Sequence, residues 1–221
     1  MPGPTDALES VLAATDRRLG KAQGPIRIAV DGRDAAGKTT FADQLARELV
    51  VSGVATFLAS IDDWQHPSEI RYRRGRYSPE GYYLDGFDFE RVKSRLLEPF
   101  ASGAAFTLRA YDIEREQAVE DELVVAGAGS VLVMDGVFLL RAELQGCWDL
   151  AVYLRVSRAT SIERGVARDG ARSGDACLER RLYEQRYAPA QDRYHEEVSP
   201  EDRADVVIDC EDLGSPLVVR G

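Results

Sequence analysis

A glycine-rich octet between a strand-like run and a helical pattern constrains the fold more than any other feature of this sequence. The octet GRDAAGKT, residues 32–39, fits the pattern G-x-x-x-x-G-K-[ST]. Residues 26–30 before it read as a short buried strand, and residues 38–51 after it repeat apolar side chains at helical spacing. A strand, a tight glycine turn and a helix in this order predict an α/β fold.

The octet also has the chemistry of a phosphate site. Glycines let backbone N–H groups curl around phosphates, and the N-terminus of the following helix adds partial positive charge. Lys38 is predicted to reach the β- and γ-phosphates, and the Thr39 hydroxyl is predicted to ligate Mg²⁺. We expect ATP with Mg²⁺ to be held here by Gly32, Asp34, Ala35, Ala36, Gly37, Lys38, Thr39 and Thr40. A plain helix-capping turn is the alternative.

Strand and helix patterns alternate along the rest of the chain. The predicted strands lie at 54–60, 105–112, 121–127, 130–136, 150–156 and 204–209, with 105–112 and 121–127 forming an antiparallel pair. The predicted helices lie at 6–19, 88–101, 158–169 and 175–196. Residues 65–87 are polar and aromatic without a clear period and are predicted to form a functional loop. This order predicts a single P-loop domain over 1–221, a parallel sheet with helices on both faces.

Composition excludes several classes of partner. The formal net charge of −10 disfavours binding to nucleic acid, which requires a basic surface. No apolar run reaches the roughly 20 residues of a membrane span, and no signal-peptide pattern is present, so we expect a cytoplasmic protein. Three scattered cysteines and two histidines disfavour disulfides, a zinc site or a Ser-His-Asp triad. We expect a small-molecule partner and leave a homo-oligomer open.

Acidic residues follow two of the predicted strands. Asp135 ends the run 130–136, where a carboxylate can hold Mg²⁺, although a solvated acid at a strand end is the alternative. Asp62 and Asp63 follow the run 54–60, at the sheet edge where α/β proteins place ligand-binding residues. Extended backbone would point their carboxylates in opposite directions. One of them would then face Mg²⁺ and an acceptor hydroxyl as the base.

Arginines supply a second set of candidates. Arg164, Arg168 and Arg172 recur every four residues, so they share one face of a helix if that helix continues past Gly170. We expect these arginines to form a lid that neutralises charge on a transferring phosphoryl group, hinged near Gly170 and Gly174. A solvated helix face is the alternative. A further cluster, made of Arg71, Arg73, Arg74 and Arg76, either binds an anionic substrate or lies in a solvated loop.

Further short motifs accompany the octet and give the chain a family resemblance. They are Ile61–Trp64, Ser78–Tyr83, Asp85–Asp88, Tyr111-Asp112, Met134–Gly136, Arg164, Arg168-Asp169 and Ala204–Ile208. From about residue 26 to residue 208 the chain resembles the uridine kinase-like P-loop kinases, which are related to phosphoribulokinase and bacterial pantothenate kinase. The resemblance implies a five-stranded parallel core and an arginine-bearing lid over about 158–196. It also implies that Asp62 is the base and that Asp135 stands where relatives usually carry a metal-associated Glu.

The acceptor region departs from the nucleoside kinases that this chain resembles. Segments of about 64–87 and 105–127 would form it, with Asp63, Tyr82, Tyr83, Asp85, Tyr111 and Glu116 as candidate substrate contacts. Tyr111-Asp112 matches the family pattern, but the histidine expected soon afterwards is replaced by an acidic run containing Glu114 and Glu116. We therefore predict an ATP- and Mg²⁺-dependent kinase, with catalytic Asp62, Lys38, Arg164 and Arg168, that phosphorylates a hydroxyl of a nucleoside, sugar or related metabolite. The alternatives are a uridine/cytidine kinase proper and a non-enzymatic nucleotide-binding regulatory module.

Overall fold

A mixed six-stranded sheet forms the centre of the molecule. A computed structural model describes residues 4–120 and 122–221. The sheet strands, in chain order, are β1 Ile26–Gly32, β2 Thr56–Ser60, β7 Val131–Gly136, β8 Leu150–Arg155, β9 Val206–Asp209 and β10 Leu217–Arg220. The short strands β3 Ala105–Phe106, β4 Tyr111–Asp112, β5 Gln117–Ala118 and β6 Val124–Val125 lie outside it. The spatial order is β2-β7-β1-β8-β9-β10, and every pair is parallel except β9 with β10. The implied five-stranded parallel core is therefore present, with one antiparallel strand added at its edge.

Helices cover both faces of this sheet. They are α1 Pro4–Leu19, α2 Lys38–Val51, α3 Ser68–Arg71, α4 Pro79–Asp85, α5 Phe89–Val92, α6 Glu98–Ser102, α7 Arg158–Ser173, α8 Ala176–Leu182, α9 Ala188–Val198 and α10 Pro200–Arg203. Single π-helical turns, Lys93–Leu97 and Tyr183–Tyr187, join α5 to α6 and α8 to α9. The 3₁₀ turns are Ile61–Trp64 and Ala142–Leu144. In residues 4–120 and 122–221 there is no helix with the length and apolarity needed to cross a bilayer.

Two apolar cores, one on each face of the sheet, explain why its strands read as near-continuous apolar runs. Along β7, Leu132 and Met134 pack with Trp64 and Phe138 on one face. Val131 and Val133 pack on the other face with α1 and α2 side chains, among them Leu45. Because side chains alternate across a strand, a sheet covered on both faces needs apolar residues at every position.

The structure corrects the sequence-based elements at several points. Residues 65–87 contain the short helices α3 and α4, and the Ser78 hydroxyl caps α4 by accepting from the Gly81 N–H at 3.0 Å. The expected pair 105–112 with 121–127 exists only as β3 with β6, because β4 pairs with β5 instead; residue 121 lies outside the described residues. Helix α7 continues to Ser173, so Gly170 is helical and the chain first turns at Gly174, where φ is +77°. The edge strand β10 was not predicted.

Candidate active site

The octet forms a tight loop between the end of β1 and the start of α2. Gly37, with φ +94°, stands at the helix N-cap in a conformation that glycine adopts without strain. Gly32 lies so close to β8 that a Cβ there would be 2.5 Å from the Leu154 carbonyl oxygen. The Lys38 Nζ donates to the Arg33 carbonyl oxygen at 2.8 Å, which places the ammonium inside the curl of the loop. This arrangement is a phosphate-binding loop, and we call it the P-loop.

Two helices from the second half of the chain fix the P-loop in place. The side chain of Gln191 on α9 accepts from the Asp34 N–H at 3.3 Å and donates to the Asp34 carboxylate at 2.6 Å. The Ser161 hydroxyl on α7 donates to the Asp34 carbonyl at 2.7 Å. Sequence reasoning missed Gln191, since nothing local marks a contact that spans 157 positions. Asp34 thus connects the P-loop to the predicted lid.

Thr39 and Asp135 meet beside the P-loop. The strands β1, β7 and β2 run parallel, with Val30 and Ser60 both in register with Asp135, so their carboxyl ends share one sheet edge. The Thr39 Oγ1 donates to Asp135 Oδ2 at 2.7 Å, and burial raises the pKa of the Asp135 carboxyl. No cluster of three or more metal-binding acids, histidines or cysteines occurs among residues 4–120 and 122–221. A hydroxyl beside one carboxylate still fits Mg²⁺, which usually takes one or two protein oxygens and completes its shell with phosphates and water.

Asp62 and Asp63 point in different directions at the end of β2. They lie in the 3₁₀ turn Ile61–Trp64, where successive side chains diverge by about a third of a turn, rather than in extended backbone as expected. Asp62 is exposed to solvent and lines the cavity beside the P-loop, whereas the Asp63 carboxylate lies 3.8 Å from the Arg109 guanidinium. Desolvation by the surrounding protein, together with the charges of Asp34, Asp135 and Asp63, raises the pKa of Asp62 to about 6. Of the two acids, Asp62 is therefore the one that faces the cavity beside the P-loop.

Two cavities meet at Arg168. The nucleotide cavity, about 430 Å³, is bordered by P-loop and α2 residues, by Arg164, Ala167 and Arg168 of α7, and by Leu213. The acceptor cavity, about 180 Å³, lies on the Asp62 side, and Arg168 borders it as well. Arg168 donates to the Asp169 carboxylate at 2.9 and 3.1 Å, and to the Tyr183 hydroxyl at 3.2 Å. One arginine thus borders both the cavity at the P-loop and the cavity that Asp62 lines.

The other two arginines of α7 are placed differently. The helix does continue past Gly170, so the three arginines share a face as predicted. Arg164 donates to the carbonyl oxygens of Cys210 and Glu211, at 2.8 and 2.7 Å, and so anchors the segment that carries Leu213 to the nucleotide cavity. Arg172, predicted to bind nucleotide, is exposed and borders neither of these cavities.

Among the predicted acceptor contacts of α4, only Tyr82 lines the acceptor cavity. Tyr83 is buried against the Phe138 ring and beneath the Arg141 guanidinium, which lies 4.1 Å from its ring centre. Asp85 is buried and paired with Arg73 and Arg74, and the hydrogen bond from Arg73 holds its pKa below the usual range. Adjacent helical residues diverge by about 100°, so Tyr83 faces away from the cavity that Tyr82 lines. Asp85 shares the face of Tyr82 at i+3 but is bound by its two arginines. Tyr83 and Asp85 therefore hold the fold together here.

Tyr111 and Glu116 line a neighbouring cavity of about 250 Å³, which shares Gln65 with the acceptor cavity. Glu116 accepts from the Tyr111 hydroxyl at 2.9 Å, from the Ser68 N–H at 3.2 Å, and from Arg71. Burial acts to raise the pKa of Glu116, but these donors hold it below its usual range. Glu116 thus holds Arg71 in position. It was predicted to contact the substrate, but it does not line the cavity that contains Asp62.

Gln65 and Arg186 line the acceptor cavity and were not predicted. Gln65 donates to Asp62 at 3.4 Å and accepts from Arg71 at 3.1 Å, so it connects the predicted base to the next arginine. Arg186 belongs to the π-helical turn Tyr183–Tyr187, which the sequence showed only as part of a charged helix. The available signal was an arginine between two tyrosines at helical spacing.

The sequence and the fold are both similar to those of P-loop kinases. The profile of the Phosphoribulokinase / Uridine kinase family matches residues 27–211. No curated protein sequence matches significantly. A solved structure described as a "possible uridine kinase" from Bacillus stearothermophilus is 26% identical, with a TM-score of 0.67 over 90% of this chain and 98% of that chain.

Two further solved structures are similar in fold. A protein from Silicibacter sp. TM1040, provisionally named a fructose transport system kinase, is 20% identical, with a TM-score of 0.72 over 86% of this chain and 94% of that one. The D-glycerate 3-kinase of Cryptococcus neoformans is 12% identical, with a TM-score of 0.66 over 96% and 98%. At these identities the likeness extends to the fold alone.

Proposed function

The chain belongs to the phosphoribulokinase/uridine kinase family of P-loop kinases, and from this we propose that it transfers the γ-phosphoryl group of ATP to a hydroxyl of a small nucleoside- or sugar-like metabolite. One observation carries the proposal: Arg168 borders both the nucleotide cavity and the acceptor cavity. A cation between a P-loop and a carboxylate is where charge develops as a phosphoryl group moves from donor to acceptor.

Each side chain then has a definite task. Lys38 neutralises the β- and γ-phosphates, and Asp62 accepts the proton of the acceptor hydroxyl. Thr39 and Asp135 offer the oxygens that would hold Mg²⁺, whose charge stabilises the phosphates when it is bound. Gln191 and Ser161 hold the P-loop against the predicted lid through their hydrogen bonds to Asp34. Phosphoryl transfer asks little covalent chemistry of the protein, so positioning and charge supply most of the rate enhancement.

The proposal is tested with a panel of nucleosides, sugars and polyols incubated with ATP and Mg²⁺. ADP release and product mass are measured together, since ADP release alone would also report ATP hydrolysis. A phosphorylated product that depends on one acceptor class supports the kinase. A regulatory nucleotide-binding module would bind ATP but yield no phosphorylated product from any acceptor, and this result would contradict the proposal.

We expect the Arg168→Ala variant to lose turnover more than ATP affinity, because its charge would act mainly in the transition state. A loss of one preorganised charge typically lowers kcat by about 10²-fold or more. The measurements are kcat, KM for ATP, and ATP affinity by titration. Arg181→Ala is the matched control, since Arg181 is exposed and lies outside both cavities. A rise in KM with kcat unchanged would make Arg168 a simple binding residue.

A uridine/cytidine kinase proper is the second candidate, favoured by the 26% identity to the Bacillus stearothermophilus protein. We expect instead that neither nucleoside is the dedicated substrate. A site built to read a base edge needs free polar groups, but Glu116, in the acidic run that replaces the expected histidine, is engaged by Arg71 and Tyr111. Steady-state assays decide this, and a kcat/KM for uridine or cytidine of roughly 10⁴ M⁻¹s⁻¹ or above would contradict the expectation.

A further inference from the structure

Two buried arginines line the acceptor cavity. Arg71 of α3 is 5% exposed and Arg186 is 3% exposed, and both line the cavity that Asp62 also lines. The aromatic ring of Tyr72 lies near both guanidiniums, 5.2 Å from Arg71 and 5.0 Å from Arg186. We call Arg71 and Arg186 the arginine pair.

Arg186 has no carboxylate partner among residues 4–120 and 122–221. Its Nη1 donates to the carbonyl oxygens of Gly75, Arg76 and Ser78 at 3.4, 3.1 and 3.4 Å, and its Nη2 donates to that of Arg71 at 3.2 Å. These neutral acceptors orient the guanidinium without cancelling its charge. Desolvation lowers the pKa of Arg186, and the charge of Arg71 lowers it further.

Arg71 has one acidic partner among the described residues, Glu116. It pairs with Glu116 and donates to Gln65, while its Nε is buried and has no hydrogen-bond partner in the described part of the chain. Two buried guanidiniums therefore face one carboxylate. Burying an unmatched charge is expensive, and this chain carries 38 acidic residues that could have supplied a partner.

Acidic side chains line the same cavity. Asp62 and the P-loop residue Asp34 border it, whereas Asp169 is already paired with Arg168 and with the Tyr183 hydroxyl at 2.7 Å. Gln65 separates Asp62 from Arg71, donating to the first at 3.4 Å and accepting from the second at 3.1 Å. A ligand that matches this arrangement presents a hydroxyl to Asp62 and a negative charge to the arginine pair.

We propose that the acceptor carries, besides its reacting hydroxyl, an anionic oxygen group, a carboxylate or a phosphate monoester, that the arginine pair binds. Arginine is suited to both groups, because its guanidinium keeps its charge when buried and forms strong charge-assisted hydrogen bonds with their oxygens. This inference rests on the proposed function and names its substrate class. The arginine pair determines specificity, whereas Asp62 and Arg168 act at the reacting atoms.

The test measures binding with the P-loop filled by a non-hydrolysable ATP analogue and Mg²⁺, so that anions cannot bind there. Calorimetry compares matched ligands, glycerol with glycerate for the carboxylate and ribose with ribose 5-phosphate for the phosphate. We expect the anionic member of at least one pair to bind 10- to 100-fold more tightly, roughly the effect of one charged hydrogen-bonded contact. Arg186→Gln should remove this preference, and Arg186→Lys should keep part of it. Arg181→Gln, on the same helical segment outside the cavity, should keep all of it.

Equal binding of the neutral and anionic members in both pairs, or no binding in either, would overturn the inference. So would an Arg186→Gln variant that weakens both members equally, because that result describes packing rather than anion recognition. If Arg186→Gln fails to fold by circular dichroism, Arg71→Gln and Arg186→Lys supply the comparison. Anion-selective binding without phosphoryl transfer would contradict only the proposed function. Transfer to neutral acceptors without anion preference would contradict only this inference.

Discussion

Lys38→Ala is expected to lower the rate of phosphoryl transfer by at least about two orders of magnitude. The Lys38 ammonium is mostly buried and lies inside the curl of the P-loop, where its Nζ is 2.8 Å from the Arg33 carbonyl oxygen. In a site sheltered from water, a charge aimed at the β- and γ-phosphates stabilises the transition state far more than it would in solution. The measurement is kcat with saturating ATP and acceptor, with product mass as the readout.

The control for this variant is another lysine. Lys93→Ala removes a half-exposed ammonium that lies 3.8 Å from Glu98 and lines neither the nucleotide cavity nor the acceptor cavity, and it should leave turnover unchanged. Thermal unfolding of both variants separates a loss of chemistry from a loss of folded protein. Near-normal phosphorylation by a folded Lys38→Ala variant would contradict the assignment of residues 32–39 as the nucleotide phosphate site.

Asp62→Asn is expected to reduce kcat by about 10²- to 10⁴-fold while ATP affinity changes less. An amide has the shape of the carboxylate but cannot accept the proton of the acceptor hydroxyl. The pKa of Asp62 is raised to about 6 by desolvation from the surrounding protein and by the charges of neighbouring acids, and a base of this strength suits proton transfer near neutral pH. Steady-state kinetics and an ATP titration measure the two effects separately.

Asp63→Asn is the matched comparison for this variant, since it makes the same chemical change one residue away. Asp63 lies toward Arg109 and does not border the acceptor cavity, so the loss of kcat should be milder. If Asp63→Asn is instead the inactive variant, the base has been assigned one residue out of register at the end of β2.

Local sequence was sufficient for the phosphate half of the site. Glycines at fixed spacing, a strand pattern before them and a helical pattern after them mark β1, the P-loop and α2, because these signals are local even though β1 itself pairs with β7 and β8. The parallel core followed from alternating strand and helix patterns, and the two-sided apolar packing of β7 explains why its run was easy to read. Lys38, Thr39 and the acids at the strand ends could therefore be named in advance.

The acceptor half was decided by tertiary structure. Groups more than one hundred residues apart in sequence meet there, such as the Arg186 guanidinium and backbone carbonyls of residues 71–78. No local sequence pattern predicts such a contact. Tyr82 and Tyr83 are adjacent and have the same chemistry, yet Tyr82 lines the cavity and Tyr83 packs in the core. The reason is that adjacent helical residues point about 100° apart. Sequence alone thus predicted the P-loop and its phosphate chemistry, while the packing of α3, α4 and the predicted lid determined which charged side chains line the acceptor cavity.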